Sequence, residues 1–107
     1  MTTTSPENKR KLSGKQRRHL RSLGHHLKPV VQLGKHGLSD SVVEAVNIAI
    51  GTHELVKVRC GGECPVPRKE VAQRLAAALE AEVVQELGHT CLLFRRHPDE
   101  PKIELPR

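Results

Sequence analysis

Short apolar runs alternate with amphipathic stretches along this chain of 107 residues. Runs rich in valine and leucine are typical of strands, whereas apolar residues at every third or fourth position are typical of helices. The pattern predicts helices over 14–24, 40–51 and 67–81 and strands over 30–33, 54–60, 82–87 and 90–96. The chain is therefore predicted to form a single compact α/β domain, in the order α-β-α-β-α-β-β, with a four-stranded mixed sheet.

Capping and turn residues mark the ends of these elements. Ser13 and Ser39 stand where their hydroxyl groups can cap the first and second helices. Gly51 is expected to close the second helix, because glycine commonly ends helices. The pair Gly88-His89 is typical of a two-residue hairpin turn, so the last two strands are predicted to be neighbours in the sheet.

The apolar positions of each element predict the core. In the strand 54–60, Val56, Val58 and Cys60 are expected to face one way and Lys57 and Arg59 the other. The helical positions expected to be buried are Leu20, Leu23 and Leu27 in the first helix and Val71, Leu75, Ala78 and Leu79 in the third. The first helix thus has a thin apolar stripe, and most of its surface is polar.

The tetrapeptide Gly34-Lys35-His36-Gly37 joins the first predicted strand to the second helix. Glycine tolerates positive φ and lets a ligand approach the backbone closely. A helix start also offers free N–H groups and the positive end of the helix dipole, so the join suits a phosphate. The plain alternative is an ordinary strand-to-helix turn, since a short Gly-x-x-G pattern is common in turns.

Positive charge is concentrated at the N-terminal end of the chain. Residues 1–35 carry a formal charge of +8 and the remainder −2, which gives the net charge of +6. Lys11, Lys15, Arg18 and Arg21 recur at spacings of three and four and so share one helical face. Such clustering favours a nucleic-acid partner, with an anionic membrane surface as the weaker competitor and a solvated basic face as the plain alternative.

The sequence gives little support to other chemistry. Phe94 is the only aromatic residue, which disfavours folds that stack bases on aromatic side chains. Cys60 and Cys64 are spaced more widely than the cysteine pair of most zinc sites. The tetrapeptide lacks the Lys-Ser/Thr ending of a nucleotide-hydrolysing loop. We therefore expect no metal, no cofactor, no catalytic residue and no small-molecule substrate.

The three cysteines also indicate the compartment. They are an odd number in a chain that shows no apolar signal segment, which favours reduced thiols in a cytoplasmic protein. Cys60 and Cys91 fall in predicted strands and are expected to be small core residues.

The order of several motifs resembles the CRM domain, which is named for chloroplast RNA splicing and ribosome maturation. The resemblance begins with Leu-Ser-Gly-Lys-Gln-Arg-Arg-His-Leu-Arg-Ser-Leu-Gly at 12–24 and runs through Lys-Pro-Val-Val-Gln-Leu-Gly-Lys-His-Gly-Leu-Ser at 28–39. It continues in Glu-Val-Ala-Gln-Arg-Leu-Ala at 70–76 and Val-Gln-Glu-Leu-Gly-His-Thr-Cys-Leu-Leu-Phe-Arg at 84–95. The match is closest to the stand-alone bacterial members of the YhbY type, so 12–107 is expected to be the domain and 1–11 a flexible basic tail.

The resemblance implies a fold similar to the C-terminal domain of bacterial translation initiation factor three. It also implies a non-catalytic monomer that binds ribosomal RNA in precursors of the large (50S) subunit, away from membranes. The residues expected to bind RNA are Lys15, Arg18, Arg21, Lys28, Gly34, Lys35, His36 and Gly37. The alternatives are a general basic nucleic-acid-binding module and a metal-dependent enzyme using the histidines and cysteines.

Two departures from the family pattern concern packing. The third helix ends in Leu79-Glu80-Ala81, where relatives often have Thr-Gly, and the last strand has Phe94, where they often have tyrosine. The cysteine-bearing loop from Cys60 to Pro65 corresponds to no family feature and receives no role from the sequence.

Overall fold

The computed structural model describes residues 12–107 and contains the predicted elements in the predicted order. The helices are α1 (Gly14–Gly24), α2 (Asp40–His53) and α3 (Arg68–Leu79), and the strands are β1 (Pro29–Leu33), β2 (Leu55–Cys60), β3 (Glu82–Leu87) and β4 (Thr90–Phe94). The predicted α/β class and the four-stranded mixed sheet are confirmed. The expected basic tail at 1–11 lies outside the described residues.

The sheet separates two apolar clusters. Its strand order is β1-β2-β4-β3, with β1 parallel to β2 and the other pairs antiparallel. One face packs against α2 and α3 through the larger cluster, which includes Val46, Val58 and Leu75. The other face packs against α1 and the C-terminal segment through Leu20, Phe94 and their neighbours. The alternation predicted for β2 is confirmed, because its valines enter the larger cluster while Arg59 is exposed.

Helix α1 is held to the sheet by a short contact. Ser13 caps it as predicted, its hydroxyl accepting a hydrogen bond from Gln16 N–H at 3.1 Å while the Gln16 side chain accepts one from Ser13 N–H. Gly24 lies so close to Leu92 that a Cβ there would overlap a Leu92 methyl carbon. The predicted stripe is only partly correct: Leu20 is fully buried, but Leu23 and Leu27 are 38% and 37% exposed. The close approach at Gly24 lets Leu20 fill the space above the sheet.

The predicted end of α2 is wrong. Gly51 lies within the helix, which runs to His53 and is ended by Glu54 in a positive-φ conformation, φ 68°. The Glu54 carboxylate is 1% exposed and accepts hydrogen bonds from the backbone N–H groups of His97, Lys102 and Ile103 at 2.7–2.8 Å. These three hydrogen bonds offset the backbone strain and fasten the C-terminal segment to the end of α2.

The third helix follows its predicted pattern with one exception. Val71, Leu75 and Leu79 are buried as predicted, but Ala78 is exposed. Ala72 is buried in its place, because the face that meets the sheet includes the position next to Val71.

The difference from the family pattern at Glu80 affects the backbone conformation rather than side-chain packing. Glu80 caps the end of α3 with φ 54° and ψ 47°, the left-handed conformation that glycine adopts most readily. Replacing Glu80 with glycine is therefore expected to raise the free energy of unfolding by up to about 1 kcal/mol. Chemical denaturation would measure the change. Glu80→Ala serves as the control, because alanine removes the carboxylate and keeps the strain; equal stabilisation by both variants would contradict the backbone explanation.

Candidate nucleic-acid interface

Helix α1 presents cations that no acidic side chain neutralises among the residues that the structure describes. Lys15 and Arg18 are exposed and Arg21 is half-buried, and none of the three forms an ion pair within residues 12–107. Arg17 differs from them, because its guanidinium lies 3.9 Å from the Glu82 carboxylate and donates to the Val83 carbonyl oxygen. The helix therefore uses one arginine to hold β3 and leaves the others free for a ligand.

Lys28 continues this positive surface beyond the end of α1. Its side chain is exposed and borders an apolar groove formed by Leu23, Leu27 and Val30. Lys28 also forms no ion pair within the described part of the chain. The exposed leucines that were expected in the core thus lie beside a cation that was expected to bind RNA.

The loop after β1 is a tight turn. Gly37 N–H donates to the Gly34 carbonyl oxygen at 3.0 Å, and Ser39 N–H donates to the Gly37 carbonyl oxygen at 3.1 Å. Lys35 and His36 occupy the tip and are exposed. Their backbone N–H groups donate to no acceptor within residues 12–107. The tip therefore offers two backbone donors and one lysine side chain to an anion.

The two glycines of this loop have different roles. Gly37 is buried with φ 61°, and a Cβ there would lie 3.4 Å from Pro65 Cγ. Gly34 is exposed, is not among the positive-φ residues, and a Cβ there would meet nothing within 4 Å. The fold thus requires glycine at Gly37 but not at Gly34. A bare backbone at Gly34 is what the close approach of a ligand needs.

The cysteine-bearing loop supports the glycine loop. Gly61 N–H donates to the Leu33 carbonyl oxygen at 2.8 Å, directly before Gly34. Pro65 and Val66 lie beneath Gly37, and the Cys64 thiol donates to the Val66 carbonyl oxygen at 3.4 Å. No role for this segment could be predicted from the sequence, because its contacts are formed only when β1 and β2 pair side by side.

The start of α2 is less open to an anion than the loop tip. The Ser39 hydroxyl caps the helix by accepting from Val42 N–H at 3.3 Å, and Asp40 places a carboxylate in the first turn. A carboxylate at this end already interacts with the helix dipole and repels a phosphate. We therefore expect a phosphate to meet the loop tip rather than the first turn of α2.

The thiols are placed as core groups. Burial raises the pKa of the Cys60 thiol and raises the pKa of Cys91 to about 12, so both remain protonated at neutral pH. Both side chains are buried, as predicted. Residues 12–107 hold no group of three or more histidine, cysteine or acidic side chains placed to bind a metal ion. Within the same residues, no helix is both long and apolar enough to cross a membrane.

Sequence reasoning missed the role of Glu54 in positioning α1. The segment that Glu54 fastens includes Ile103 and Leu105, which pack against the cluster around Leu20. Gln16 of α1 also donates to the Pro106 carbonyl oxygen at 3.1 Å. Glu54 therefore holds the segment that supports the basic helix, and no local pattern in the sequence signals this contact.

Comparison with known proteins identifies the family. The family model described as the CRS1 / YhbY (CRM) domain matches residues 12–95. The chain belongs to this family. As a CRM domain it is 37% identical over 95 residues to the protein named "Probable RNA-binding protein YqeI" of Bacillus subtilis, across 89% of this chain and 99% of that relative. It is 38% identical to an "RNA-binding protein" of Haemophilus influenzae, across 90% of this chain and 96% of the relative.

A solved structure extends the comparison to the fold. The solution structure of SAV1595 from Staphylococcus aureus, described as a hypothetical protein and candidate RNA-binding protein, superposes with a TM-score of 0.75 at 34% identity. The match covers 90% of this chain and 100% of that protein. The compact arrangement of helices on a four-stranded sheet is thus shared with a solved relative.

The contrast between the two glycines makes the loop testable. Gly34→Ala is expected to leave the free energy of unfolding unchanged or raise it by about 0.4–1 kcal/mol, because its backbone conformation suits alanine. It should still weaken RNA binding about tenfold, the effect of disturbing one charge-assisted backbone contact. Fluorescence anisotropy with a short RNA and thermal unfolding would measure the two effects.

The matched control is Gly62→Ala, since Gly62 is also exposed and a Cβ there would also meet nothing within 4 Å.

Gly37→Asp should weaken RNA binding and destabilise the fold by about 1 kcal/mol. Gly37→Asn separates the two effects, because it has a similar shape and no charge. Lys35→Ala should weaken binding less, because it leaves the backbone donors in place. A folded Gly34→Ala variant that binds RNA as tightly as Gly62→Ala does would show that the loop is an ordinary strand-to-helix turn.

Proposed function

We propose that this protein binds ribosomal RNA in precursors of the large ribosomal subunit and acts as a non-catalytic assembly factor in the cytoplasm. The observation that carries the proposal is a positive surface formed by α1 and the glycine loop. Lys15, Arg18 and Arg21 of the helix and Lys35 at the loop tip form no ion pair within residues 12–107. The backbone N–H groups of Lys35 and His36 likewise donate to no acceptor in this part of the chain. Such groups bind the phosphate backbone of RNA rather than its bases.

Membership of the CRM family supports RNA over other polyanions. The relatives from Bacillus and Haemophilus are both named as RNA-binding proteins. This chain matches 99% and 96% of the lengths of those relatives, so each of them is about the size of this chain. The stand-alone members of the family are the ones for which the resemblance implies a ribosomal role, whereas plant relatives with several domains act in intron splicing.

Cross-linking in cells would test the target. Ultraviolet irradiation, recovery of the protein and sequencing of the attached RNA should give sites concentrated in the RNA of the large subunit, and the protein should sediment with its precursors rather than with mature ribosomes. Cross-links spread in proportion to the abundance of cellular RNAs would favour a general basic module instead. Equal affinity for structured RNA and duplex DNA at matched salt would support that alternative as well.

A further inference from the structure

A row of side chains across the sheet is left uncovered between α1 and the glycine loop. Gln32 of β1 pairs with Arg59 of β2, and Arg59 pairs with Thr90 of β4, which pairs with Leu87 of β3. Paired residues on neighbouring strands point to the same side of a sheet. We call these four residues the sheet row; it spans about 14 Å at the usual spacing between strands.

The sheet row lies on the face that α1 covers only in part. Leu55 and Leu92 are on this face and pack with Leu20 of α1. Arg59 and Thr90 lie farther along the same strands and do not belong to the cluster that packs against α1. Gln32 and Arg59 are exposed, and Leu87 is 64% exposed although it is a large apolar residue. This half of the face therefore has no helix above it in the described structure.

The position of the row links the two elements of the proposed interface. Gln32 is followed by Leu33 and then by Gly34, so one end of the row adjoins the glycine loop. Lys57, two residues before Arg59, pairs with Leu92, which Gly24 at the end of α1 contacts. An RNA strand that contacts both α1 and the loop would cross the row.

The chemistry of the row suits bases better than phosphates. Arg59 is its single cation and forms no ion pair within residues 12–107. Its neighbours are an amide, a hydroxyl and an apolar side chain, which can bond to base edges or contact base faces. A guanidinium plane can also stack on a base, which matters here because the chain has one aromatic residue and it is buried.

We propose that Gln32 and Arg59 contact the bases of unpaired nucleotides whose backbone is held by α1 and the glycine loop. The proposal rests on the proposed function, because it concerns the same bound RNA. It adds a source of base preference to an interface that otherwise contacts only the backbone. The expected ligand is single-stranded RNA, since bases in a duplex are stacked and paired.

The test compares Arg59→Ala, Arg59→Lys and Gln32→Ala with the parent protein. Homopolymer RNAs of each base and a fully paired RNA hairpin serve as probes in fluorescence anisotropy at matched salt. Arg59→Ala should weaken binding to single-stranded RNA about tenfold, which is the size expected for one lost stacking contact. It should weaken binding to the hairpin much less. Arg59→Lys should not restore RNA binding, because a lysine ammonium cannot stack on a base or form a bidentate hydrogen bond. Gln32→Ala should reduce the differences in affinity between homopolymer RNAs of different bases.

The control is Lys69→Ala, an exposed cation on α3 at the opposite face of the sheet. If Arg59→Ala bound single-stranded RNA as tightly as the parent does, the base contact would be overturned. It would also be overturned if Arg59→Lys bound as tightly as the parent and only Arg59→Ala showed a reduced salt dependence of RNA affinity. In that case the parent still binds RNA and the proposed function stands. Failure of the parent to bind any RNA more tightly than duplex DNA of the same length would overturn the proposed function and this inference together.

Discussion

Reversing Lys15, Arg18 and Arg21 to glutamate is expected to weaken RNA binding by on the order of a hundredfold or more at about 0.1 M salt. Each cation that neutralises a phosphate contributes about 0.7 to the slope of log affinity against log salt on single-stranded RNA. Removing three such contacts should lower that slope by about 2. Titrations at several salt concentrations would measure both quantities, and thermal unfolding would show that the variant is folded.

Net charge alone also affects binding, so a charge-matched control is needed. The double reversals Lys15→Glu/Arg18→Glu and Lys69→Glu/Arg74→Glu change the net charge equally. The second pair lies on α3, on the other face of the sheet, where Arg74 pairs with Glu70 at the surface. The account predicts a much larger loss of affinity for the α1 pair. Equal losses would mean that the protein attracts RNA through its overall charge and that α1 has no special role.

Replacing Glu54 with glutamine is expected to lower the free energy of unfolding by about 2–4 kcal/mol. The Glu54 carboxylate accepts hydrogen bonds from three backbone N–H groups and is 1% exposed. A glutamine side chain of the same shape has one acceptor oxygen and directs an amide donor at those N–H groups. Chemical denaturation at neutral pH would measure this loss of stability. The substitution should also loosen the C-terminal segment beneath α1.

The same carboxylate gives the fold a pH dependence of known sign. Burial by itself would raise the pKa of Glu54, but the hydrogen bonds from His97, Ile103 and Lys102 and the nearby Arg96 charge hold it below the usual 4.5. A lowered pKa stabilises the folded state above pH 4.5, and this stability is lost as the pH falls through the folded pKa.

Parent and Glu54→Gln should therefore differ most at neutral pH and converge in acid. Glu104→Gln is a suitable control, since that carboxylate is exposed and belongs to the same segment. A difference between parent and Glu54→Gln that stayed constant from neutral pH to about pH 3 would contradict the role assigned to the ionised carboxylate.

Local patterns predicted the elements of this fold, and contacts between distant residues account for the errors. Ser13, Ser39 and Gly88 were placed correctly because caps and tight turns are decided by a few neighbouring residues. Gly51 was expected to end α2, but the helix continues to His53 and is ended by Glu54, whose strained backbone is stabilised by partners at least 43 residues later in the chain. Nothing near Glu54 in the sequence reveals those partners.

The candidate site was predictable to a similar extent. The free cations of α1 followed from helical spacing, yet only the folded structure separates Arg17, which holds β3, from Arg18. Gly34 and Gly37 are equivalent in the sequence, and their different backbone conformations distinguish them. The sheet row depends on strand register. The likeness to translation initiation factor three, the ribosomal target and the cytoplasmic location stay predictions.

The most direct test of the account is to map RNA contacts by the change in backbone amide chemical shifts as a short single-stranded RNA is added to the labelled protein. The largest changes should fall on α1 and on residues 34–37, with further changes at Arg59 and Gln32. The exposed side of α3 should change little, because it lies across the sheet from the proposed interface. Changes concentrated on α3, or spread evenly over all basic residues, would contradict the account.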